Sequence, residues 1–351
     1  MAAATGMGPS HTLLREVAER RDLDTPLLMA IADSIAALHA AAPVVAGARA
    51  IETPLPEQQA ELKRHRETLD KRAAAGRVRR GHGDLTLSQI ALADGRPVAF
   101  GGQVLELDVL LDLAALLADL WERGLTTPAS IVANRYCDVA AQGATGWALL
   151  PLFLSMHVED AERAIGLLKP TAPRLVALGG LSGTGKSTLA RHIAAWMGRA
   201  PGARVLRSDV FRKRTAGLPP EARLPSSFYT ARSDQETWEA LFESAEDHLA
   251  CGSSVIIDAV FMRRSERDVA EMLASHARVP FTGLWLEAPE RDRIARVSAR
   301  SGDASDAGTE VAREQSRRPV GELYGWHRMR ANRPLEVLLP AARAILDRGV
   351  R

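Results

Sequence analysis

Residues 180–187 read Gly-Leu-Ser-Gly-Thr-Gly-Lys-Ser, a stretch that fits the pattern GxxxxGK[ST] at every fixed position. Residues 175–178, Leu-Val-Ala-Leu, form an apolar run typical of a buried strand, and Leu189, Ile193 and Met197 recur after the stretch at helical spacing. In this order of strand, glycine-rich loop and helix, successive backbone N–H groups turn toward a phosphate, and the helix N-terminus adds a partial positive charge. The stretch therefore predicts a nucleoside triphosphate site.

Each polar position of this loop has an expected contact. Lys186 is expected to reach the β- and γ-phosphate oxygens, and the hydroxyl of Ser187 is expected to bind Mg²⁺. The predicted cofactors are therefore ATP and Mg²⁺. A glycine-rich turn without a ligand is the alternative, but chance matches seldom have both flanks correct. The residues expected to bind the nucleotide are Gly180, Ser182, Gly183, Thr184, Gly185, Lys186, Ser187 and Thr188.

The composition is that of an ordinary soluble enzyme with roughly two domains. The 351 residues are 46% hydrophobic, enough for full-sized cores, and a net charge of +2 gives no electrostatic case for nucleic acid as a required partner. Cys137 and Cys251 lack metal or disulfide spacing, and residues 1–10 lack a secretory pattern, so we expect a cytoplasmic protein. The longest uncharged run, residues 142–156, is too short to span a membrane and is expected to be core. The oligomeric state stays open.

Two prolines, Pro170 and Pro173, separate a helical pattern from the first strand and predict a domain boundary. We expect a mainly helical domain at 1–168, a linker at 169–174 and an ATP-binding domain at 175–351. In the last of these, candidate strands at 203–206, 255–257 and 281–286 alternate with candidate helices at 235–250, 265–276 and 290–300. The alternation predicts an α/β fold of the P-loop NTPase type, a parallel sheet with helices on both faces. Ligands bind such sheets at the carboxyl ends of the strands.

An acidic residue follows the second candidate strand, in the stretch Ser208-Asp209-Val-Phe-Arg212. A P-loop kinase needs a general base at this edge of the sheet to accept the proton of the attacking hydroxyl, so Asp209 is the candidate base. If the chain turns helical there, Arg212 lies one turn further on and is placed to hold an anionic or polar substrate. The alternative is that Ser208 or Asp209 only caps a helix, because both residue types are favoured at N-caps.

Asp258 follows the apolar residues 255–257, on a strand expected next to the one that leads into the loop. A carboxylate in this place orients Mg²⁺ and its waters, so Ser187 and Asp258 form the predicted metal site. The alternative is a buried aspartate that accepts hydrogen bonds from backbone amides.

Three arginines, Arg293, Arg296 and Arg300, are spaced to share one helix face, and residues 301–308 after them have the composition of a loop. In many small kinases a basic lid closes over the phosphates, neutralises charge that develops during transfer and excludes water. A solvated basic face is the alternative. With Arg296 and Arg300 taken as lid residues, the candidate catalytic residues are Lys186, Asp209, Arg212, Arg296 and Arg300.

Besides residues 180–187, four stretches of the C-terminal half form a set: Arg207-Ser-Asp-Val-Phe-Arg-Lys213, Arg223-Leu-Pro225 followed by Tyr229-Thr230, Val255-Ile-Ile-Asp-Ala-Val-Phe261, and Asp303-Ala-Ser-Asp-Ala307. Together they resemble the P-loop kinase module of bacterial proteins in which an aminoglycoside phosphotransferase is fused to an ATP-binding domain. The resemblance covers most of residues 174–350. The stretch from Ser208 to Arg212 is also similar to the acceptor-side motif of polynucleotide-kinase-like and zeta-toxin-like enzymes, which implies that Asp209 is the base.

The N-terminal half contains His82-Gly-Asp84-Leu, followed by Gly-Arg-Pro-Val-Ala-Phe at 95–100 and Asp-Val-Leu-Leu-Asp-Leu-Ala at 108–114. These stretches are similar to the catalytic loop HGDxxxxN and its flanks in aminoglycoside phosphotransferases. Gln89 stands where that family has a metal-binding Asn, and Gly101 stands where it has a second, acidic metal ligand. The resemblance therefore implies a phosphotransferase half without its metal ligands.

The 81 residues before His82 contain no glycine-rich hairpin and no strand lysine, and their patterns predict helices at about 12–20 and 26–41. A protein kinase fold needs an N-terminal lobe to hold ATP. Residues 1–168 therefore resemble a kinase C-lobe remnant. We expect His82 and Asp84 to form a hydrogen-bonded turn and Asp112 to be a buried structural acid.

Three functions are compatible with these features. The first is a P-loop kinase that transfers the γ-phosphoryl group of ATP to a hydroxyl of a small-molecule or nucleotide-like acceptor. The second is a regulatory or binding ATPase module, and the third is an aminoglycoside phosphotransferase that acts through the His82 loop. Asp209 favours the first over the second, since a switch needs no acceptor-side base, and the missing lobe disfavours the third. The acceptor stays open, because residues 215–232, where its specificity is expected, are loop-like.

Overall fold

The chain forms two compact units in a computed structural model that describes residues 12–47, 51–299 and 304–348. One unit comprises the described residues up to Pro170 together with Arg199–Pro201. The other comprises Thr171–Gly198 and the described residues from Gly202 onward.

The N-terminal unit is mainly helical. Its helices are α1 (Leu14–Glu19), α2 (Thr25–Ala41), α3 (Pro56–Arg64), α4 (Arg66–Ala74), α5 (Val109–Glu122), α6 (Thr126–Val139), α7 (Gly143–Ser155) and α8 (Ala161–Leu168). Its strands are β1 (Thr12–Leu13), β2 (Val78–Gly81), β3 (Ile90–Ala93), β4 (Arg96–Ala99) and β5 (Leu105–Asp108). The sheet β1-β3-β4 and the pair β2-β5 are both antiparallel. Both helices predicted before His82 are present, and β1 takes the first two residues of the earlier one.

Local sequence explains where these helices begin and which of them are buried. The Asp24 carboxylate caps α2 by accepting from the Leu27 N–H at 2.8 Å, and Asp108 caps α5 by accepting from the Leu110 N–H. The uncharged run at 142–156 forms α7 and is buried, as predicted. No helix of the described residues is long and apolar enough to span a membrane.

The C-terminal unit is built on a five-stranded sheet of order β10-β9-β6-β8-β7, in which every neighbouring pair is parallel. The strands are β6 (Leu175–Gly180), β7 (Arg204–Arg207), β8 (Val255–Asp258), β9 (Phe281–Glu287) and β10 (Trp326–Arg330). The helices are α9 (Lys186–Ala194), α10 (Ser208–Thr215), α11 (Ala231–Ala250), α12 (Arg264–His276), α13 (Glu290–Ser298), α14 (Thr309–Arg317) and α15 (Leu335–Arg348). The predicted α/β class with a parallel sheet is confirmed. The strands predicted at 203–206, 255–257 and 281–286 end within one residue of the observed ones, whereas β6 continues two residues beyond the apolar run 175–178.

The sheet lies between two hydrophobic layers, because alternate residues of a strand point to opposite faces. Val176 and Leu178 of β6 pack with Leu189 of α9 in one layer. Leu175 and Ala177 of the same strand pack in the other layer. A strand covered on both faces needs a continuous apolar sequence, which is why residues 175–178 carry no polar side chain.

Two glycines make room for indole rings beside β6. A Cβ at Gly283 would lie 2.5 Å from Cδ2 of Trp326, and one at Gly179 would lie 2.8 Å from Cε3 of Trp285. The Trp326 ring also meets Phe261 edge-on, with ring centroids 5.2 Å apart. Aromatic rings therefore pack directly against the last strand residues before the glycine-rich loop.

Candidate active site

The loop at residues 181–185 joins β6 to α9 in a conformation that requires glycine. Gly183 and Gly185 have φ angles of +84° and +93°, in the left-handed region. A Cβ at Gly183 would lie 2.4 Å from the Arg293 carbonyl oxygen, and one at Gly180 would lie 2.7 Å from the Leu286 carbonyl oxygen. Gly185 is the N-cap residue of α9, so the loop ends where backbone N–H groups and the helix dipole favour an anion.

The polar side chains of the loop fold back over its backbone. The Lys186 ammonium donates to the Leu181 carbonyl at 3.4 Å, and the Thr184 hydroxyl donates to the same oxygen at 2.8 Å. Ser182 is buried, whereas Thr188 is exposed in the first turn of α9. The residues that the sequence assigns to the nucleotide thus lie together between the end of β6 and the start of α9.

Ser187 and Asp258 lie side by side at the carboxyl end of the sheet. The Ser187 hydroxyl donates to Oδ2 of Asp258 at 2.6 Å, and Asp258 is buried. The Arg207 guanidinium also contacts this carboxylate oxygen, so two side chains of other elements hold Asp258 in place.

One hydroxyl and one carboxylate oxygen suit Mg²⁺, which prefers few protein ligands and completes its shell with water and phosphate. In the parts of the chain that the structure describes, no three His, Cys, Asp or Glu side chains gather as a metal cluster. The pair Ser187 and Asp258 therefore fits a magnesium ion bound together with a nucleotide, and does not form a metal cage of protein ligands alone.

Arg207 completes this part of the site, and sequence reasoning gave it no role. Its Nε lies 3.4 Å from Oδ2 of Asp258, and its Nη2 donates to the Ser187 hydroxyl at 3.2 Å. In the sheet, Arg207 of β7 lies opposite Asp258 of β8, and Asp258 lies opposite Leu178 of β6. The available signal was a charged residue at the carboxyl end of a strand, directly before Ser208 and Asp209.

Asp209 lies in the first turn of α10, directly after β7. The N-cap residue of this helix is Arg207, with no side-chain capping bond, so neither Ser208 nor Asp209 is the cap. A carboxylate in a first helical turn is stabilised by the helix dipole. The helical turn expected at this point is present and places Arg212 one turn further along.

Arg212 belongs to a group of charged and aromatic side chains around Asp234. Its Nη2 donates to Oδ1 of Asp234 at 2.8 Å, and its guanidinium lies 5.6 Å from the ring centroid of Tyr229. Arg263 donates to the other oxygen of Asp234 at 3.2 Å. Asp234 therefore joins two arginines of different elements.

Asp306 fixes the segment at 215–232, a role that the sequence did not indicate. Its carboxylate accepts from the buried Lys213 ammonium at 3.1 Å, from the Tyr229 hydroxyl at 3.0 Å and from the Leu224 N–H at 3.2 Å. Burial and the negative charge of Asp306 raise the pKa of Tyr229, which therefore stays a hydrogen-bond donor at neutral pH.

The arginines of α13 differ in burial. Arg293 is only 3% exposed, and it donates to the Ser182 carbonyl at 3.2 Å, to the Ala312 carbonyl at 3.4 Å and to the Ser316 hydroxyl. It is not part of a solvated basic face, because its guanidinium joins the loop to α14.

Arg296 is exposed and lies beside the loop. It donates to the Gly183 and Thr184 carbonyls at 3.5 and 3.4 Å and to the Ala331 carbonyl at 2.9 Å. Arg300, the third arginine of the predicted lid, lies outside the described residues.

Helix α14 contributes one further contact to the loop, also missed by sequence reasoning. The Gln315 side-chain oxygen accepts from the Ser182 N–H at 2.8 Å. Gln315 thus binds the N–H of Ser182 directly. Arg293 links the carbonyl of Ser182 to α14, because it donates to both the Ser182 and the Ala312 carbonyls.

In the N-terminal unit, Asp112 is a buried acid that holds the turn at His82. Its carboxylate accepts from the His82 and Gly83 N–H groups at 2.6 and 3.0 Å and lies 3.2 Å from Nε2 of His39. Burial raises the pKa of Asp112, but the bonds from His39 and the two N–H groups outweigh it and leave the pKa below its usual value. This geometry agrees with the expectation of a structural acid and a hydrogen-bonded turn.

The two positions that depart from the phosphotransferase pattern lie against each other. A Cβ at Gly101 would lie 2.6 Å from Oε1 of Gln89, so the longer amide takes the space that a side chain at 101 would need. The Gln89 amide also lies 3.5 Å from Oδ2 of Asp84.

Comparison with solved structures finds kinases whose sequence identity to this chain and TM-scores are low. A sugar kinase from Janibacter sp. HTCC2649 is 23% identical, with a TM-score of 0.39 over 50% of this chain and 95% of that chain. A gluconokinase from Sinorhizobium meliloti 1021 is 20% identical, with a TM-score of 0.37 over 50% and 93%. The APS kinase CysC of Mycobacterium tuberculosis, in complex with AMPPNP and APS, is 18% identical, with a TM-score of 0.36 over 51% and 99%.

Comparison with known sequences finds a domain and mycobacterial relatives. Residues 175–319 match a family model described as an AAA domain. The chain is 28% identical over 282 residues to the uncharacterized proteins Rv2004c of Mycobacterium tuberculosis and Mb2027c of Mycobacterium bovis. The match covers 68% of this chain and 54% of each relative, so the chain spans about half the length of the curated relatives it matches. The C-terminal unit thus combines a phosphate-binding loop with the parallel α/β sheet of a P-loop nucleotide-binding domain.

Proposed function

We propose that the protein is an ATP-dependent phosphotransferase that acts on a hydroxyl of a small-molecule or nucleotide-like acceptor. The observation that carries the proposal is the set of residues at one edge of the sheet. Lys186 and Ser187 follow β6, Asp258 ends β8, and Asp209 stands two residues after the end of β7. Because the strands are parallel, their carboxyl ends lie at the same edge, which is where such folds bind ligands.

In the proposed reaction, the acceptor oxygen forms a bond to the γ-phosphorus while the bond to the β,γ-bridging oxygen breaks, and ADP leaves with that electron pair. Asp209 accepts the proton of the acceptor hydroxyl. The Lys186 ammonium and the N–H groups at the start of α9 hold the phosphates and offset their charge. Mg²⁺, held by Ser187 and Asp258, would neutralise charge on the β- and γ-phosphates.

Arg212 and Arg296 are proposed to assist from opposite sides. Arg212 shares the helix of Asp209 and already bonds a carboxylate, so it is suited to a polar or anionic group of the acceptor. Arg296 contacts the backbone of the loop that would hold the phosphates, where a cation stabilises charge developing during transfer. For Arg300 the same role rests on its sequence spacing alone.

We also propose that the His82 turn does not bind ATP. The support is the pair Gln89 and Gly101. Gln89 is one methylene longer than the metal-binding Asn of the resembled phosphotransferases, and Gly101 has no side chain where they have an acidic ligand. A regulatory ATPase remains the main competitor, and it differs from a kinase in requiring no acceptor.

The experiment that tests the proposal is ADP formation by the full chain with MgATP, measured against sugars, aminoglycosides, nucleosides and nucleic-acid 5′-hydroxyl ends. We expect one acceptor class to raise ADP formation and to yield a phosphorylated product, identified by mass spectrometry. If the rate of ADP formation were the same with every acceptor and without any, and no phosphorylated product formed, the protein would instead be a hydrolytic module.

A further inference from the structure

The strand register brings a positive charge to the metal site. Arg207 of β7 pairs with Asp258 of β8, and Asp258 pairs with Leu178 of β6. Residues opposite each other on neighbouring strands point to the same face of a sheet. The register thus explains why the Arg207 guanidinium, and not a side chain from a distant loop, lies against Asp258.

Three side chains form a closed triangle at this point. Ser187 donates to Oδ2 of Asp258 at 2.6 Å, Nε of Arg207 lies 3.4 Å from that same oxygen, and Nη2 of Arg207 donates to the Ser187 hydroxyl at 3.2 Å. The two oxygens that Arg207 contacts are the two that the proposed function assigns to Mg²⁺. A metal ion and the guanidinium therefore compete for the same oxygens.

Burial makes this competition strong. Arg207 is 5% exposed and Asp258 is buried as well, so water screens their charges little. A buried carboxylate is costly unless a cation faces it, and the Arg207 guanidinium supplies a cation beside Asp258. The same charge repels a divalent ion that approaches Asp258.

We propose that Arg207 is a positioning residue of the metal site, which holds Asp258 and Ser187 together before Mg²⁺ binds and must give up Asp258 to the ion. The proposal rests on the proposed function only in assuming that nucleotide and Mg²⁺ bind here. Arg207 also adds positive charge beside the phosphate site, so it attracts a metal-free nucleotide. Its removal should therefore shift two affinities in opposite directions.

The test is isothermal titration calorimetry of the full chain with ADP, first in EDTA and then with Mg²⁺ titrated into the ADP complex. In Arg207→Gln we expect ADP without metal to bind several-fold more weakly, and the half-saturating Mg²⁺ concentration to fall by about tenfold or more. Damage to the fold would weaken both the binding of ADP and the binding of Mg²⁺. Loss of the competing charge is expected to weaken ADP binding and to strengthen Mg²⁺ binding.

Three further variants serve as controls: Arg207→Lys, Arg204→Gln and Asp258→Asn. Arg207→Lys retains the charge and is expected to keep the half-saturating Mg²⁺ concentration near that of the wild type. Arg204→Gln removes another arginine of β7, 3% exposed and opposite Val255 instead of Asp258, and is expected to show no opposite shifts. In the Asp258→Asn background, Arg207→Gln should lose its effect on Mg²⁺, since the contested carboxylate is gone.

An unchanged or higher half-saturating Mg²⁺ concentration in folded Arg207→Gln would overturn the proposal, and so would the same shifts in Arg204→Gln. Circular dichroism melts establish that each variant is folded, and Arg207→Lys remains a test of charge if the Gln variant does not fold. No acceptor enters these titrations. Failure of the wild type to bind ADP would count against the proposed function, whereas binding of ADP and Mg²⁺ that is insensitive to Arg207 would count against this inference alone.

Discussion

A carbonyl oxygen decides the residue type at position 183. The backbone there is left-handed, and a Cβ would lie 2.4 Å from the carbonyl oxygen of Arg293, itself fixed in α13. The atoms that a Cβ at residue 183 would meet all belong to the backbone of Arg293, so no flexible side chain can move aside to make room for it. Residue 183 therefore links the shape of the loop to the position of a neighbouring helix.

Replacing Gly183 by Ala should destabilise the C-terminal unit by about 2 kcal/mol or more, the sum of left-handed strain and a backbone collision, and should abolish ADP binding. Urea denaturation and calorimetry measure the two effects. Gly217→Ala is the matched control, because Gly217 has a φ of +71° with no atom within 4 Å of a built Cβ. It should cost only about 1 kcal/mol and leave ADP binding intact. Equal effects of both variants would show that the collision is unimportant.

The Lys186→Ala protein should lose its thermal stabilisation by MgATP, because the ammonium is the charged group of the loop that faces the phosphates. The Asp84→Ala protein should keep that stabilisation, since Asp84 belongs to the His82 turn of the other unit. Differential scanning fluorimetry with and without MgATP measures both. Loss of the shift in Asp84→Ala would restore the N-terminal unit as a nucleotide site.

The Asp209→Asn protein should bind MgATP as the wild type does, yet transfer phosphate to the acceptor ~10²-fold or more slowly, as expected for loss of a general base. Ser208→Ala is the neighbouring control in the same helical turn and should retain turnover. Turnover of Asp209→Asn at the wild-type rate would remove Asp209 from the mechanism.

At the scale of residues, the sequence located those candidate side chains that local order places near the end of a strand. The loop follows β6, Asp258 ends β8 and Asp209 stands two residues after β7, and the structure gathers them at one edge of the sheet. Arg207, Gln315 and Asp306 could not be found in this way. Arg207 meets Asp258 across 51 residues of sequence, and Gln315 meets Ser182 across 133, so both contacts depend on tertiary packing.

Helix α14 is tied to the loop at Ser182, both directly and through Arg293 of α13. Gln315 accepts from the Ser182 N–H, and Arg293 donates to the Ser182 carbonyl and to α14 itself. The backbone of one loop residue is thus held on both sides. A helix attached in this way keeps the loop in place without contributing a charge of its own to the phosphates.

Two substitutions at Gln315 should separate support of the loop from charge near the phosphates. Gln315→Ala removes the acceptor for the Ser182 N–H and should lower the free energy of unfolding by about 1 kcal/mol with little effect on ADP affinity. Gln315→Glu keeps an acceptor, so stability should change less, but the added charge should weaken ADP binding by about tenfold. Denaturation and calorimetry check the pair, and the same ADP affinity in both variants would contradict it.

Element prediction succeeded where periodicity was strong and failed where the strand was polar. The alternation of strands and helices from residue 175 to 298 was visible because central parallel strands are apolar throughout. Strand β10 was missed: it reads Trp-His-Arg-Met-Arg, lies at the edge of the sheet and buries only Trp326 and Met329. An edge strand has fewer neighbours, so its sequence carries a weaker apolar signal.

At the scale of the whole molecule, two histidines, His157 and His248, make stability depend on pH in the same direction. Burial lowers the pKa of His248 in the C-terminal unit to about 4, and burial also lowers the pKa of His157 in the N-terminal unit. Each side chain is neutral in the folded protein, whereas the unfolded chain binds a proton near pH 6.5. Stability is therefore complete above pH 6.5 and is lost as the pH falls toward the folded pKa.

For His248 the full loss between pH 6.5 and 4 should reach about 3 kcal/mol. His248→Gln, which does not titrate, should flatten this part of the pH dependence, as measured by urea denaturation at pH 7, 5.5 and 4.5. His276→Gln is the control, since His276 is exposed on α12. If both variants retained the wild-type slope, the pH dependence would have another source.

The two glycines that seat indole rings next to β6 have an optical consequence. Gly179 immediately precedes the first residue of the phosphate loop, and a Cβ there would meet both Trp285 and Trp326 at 2.8 to 3.0 Å. These rings form a rigid, asymmetric environment, which gives tryptophan a near-ultraviolet circular dichroism signal that is lost when packing loosens. The C-terminal unit thus contains a built-in spectroscopic probe at the root of its nucleotide loop, readable without any attached label.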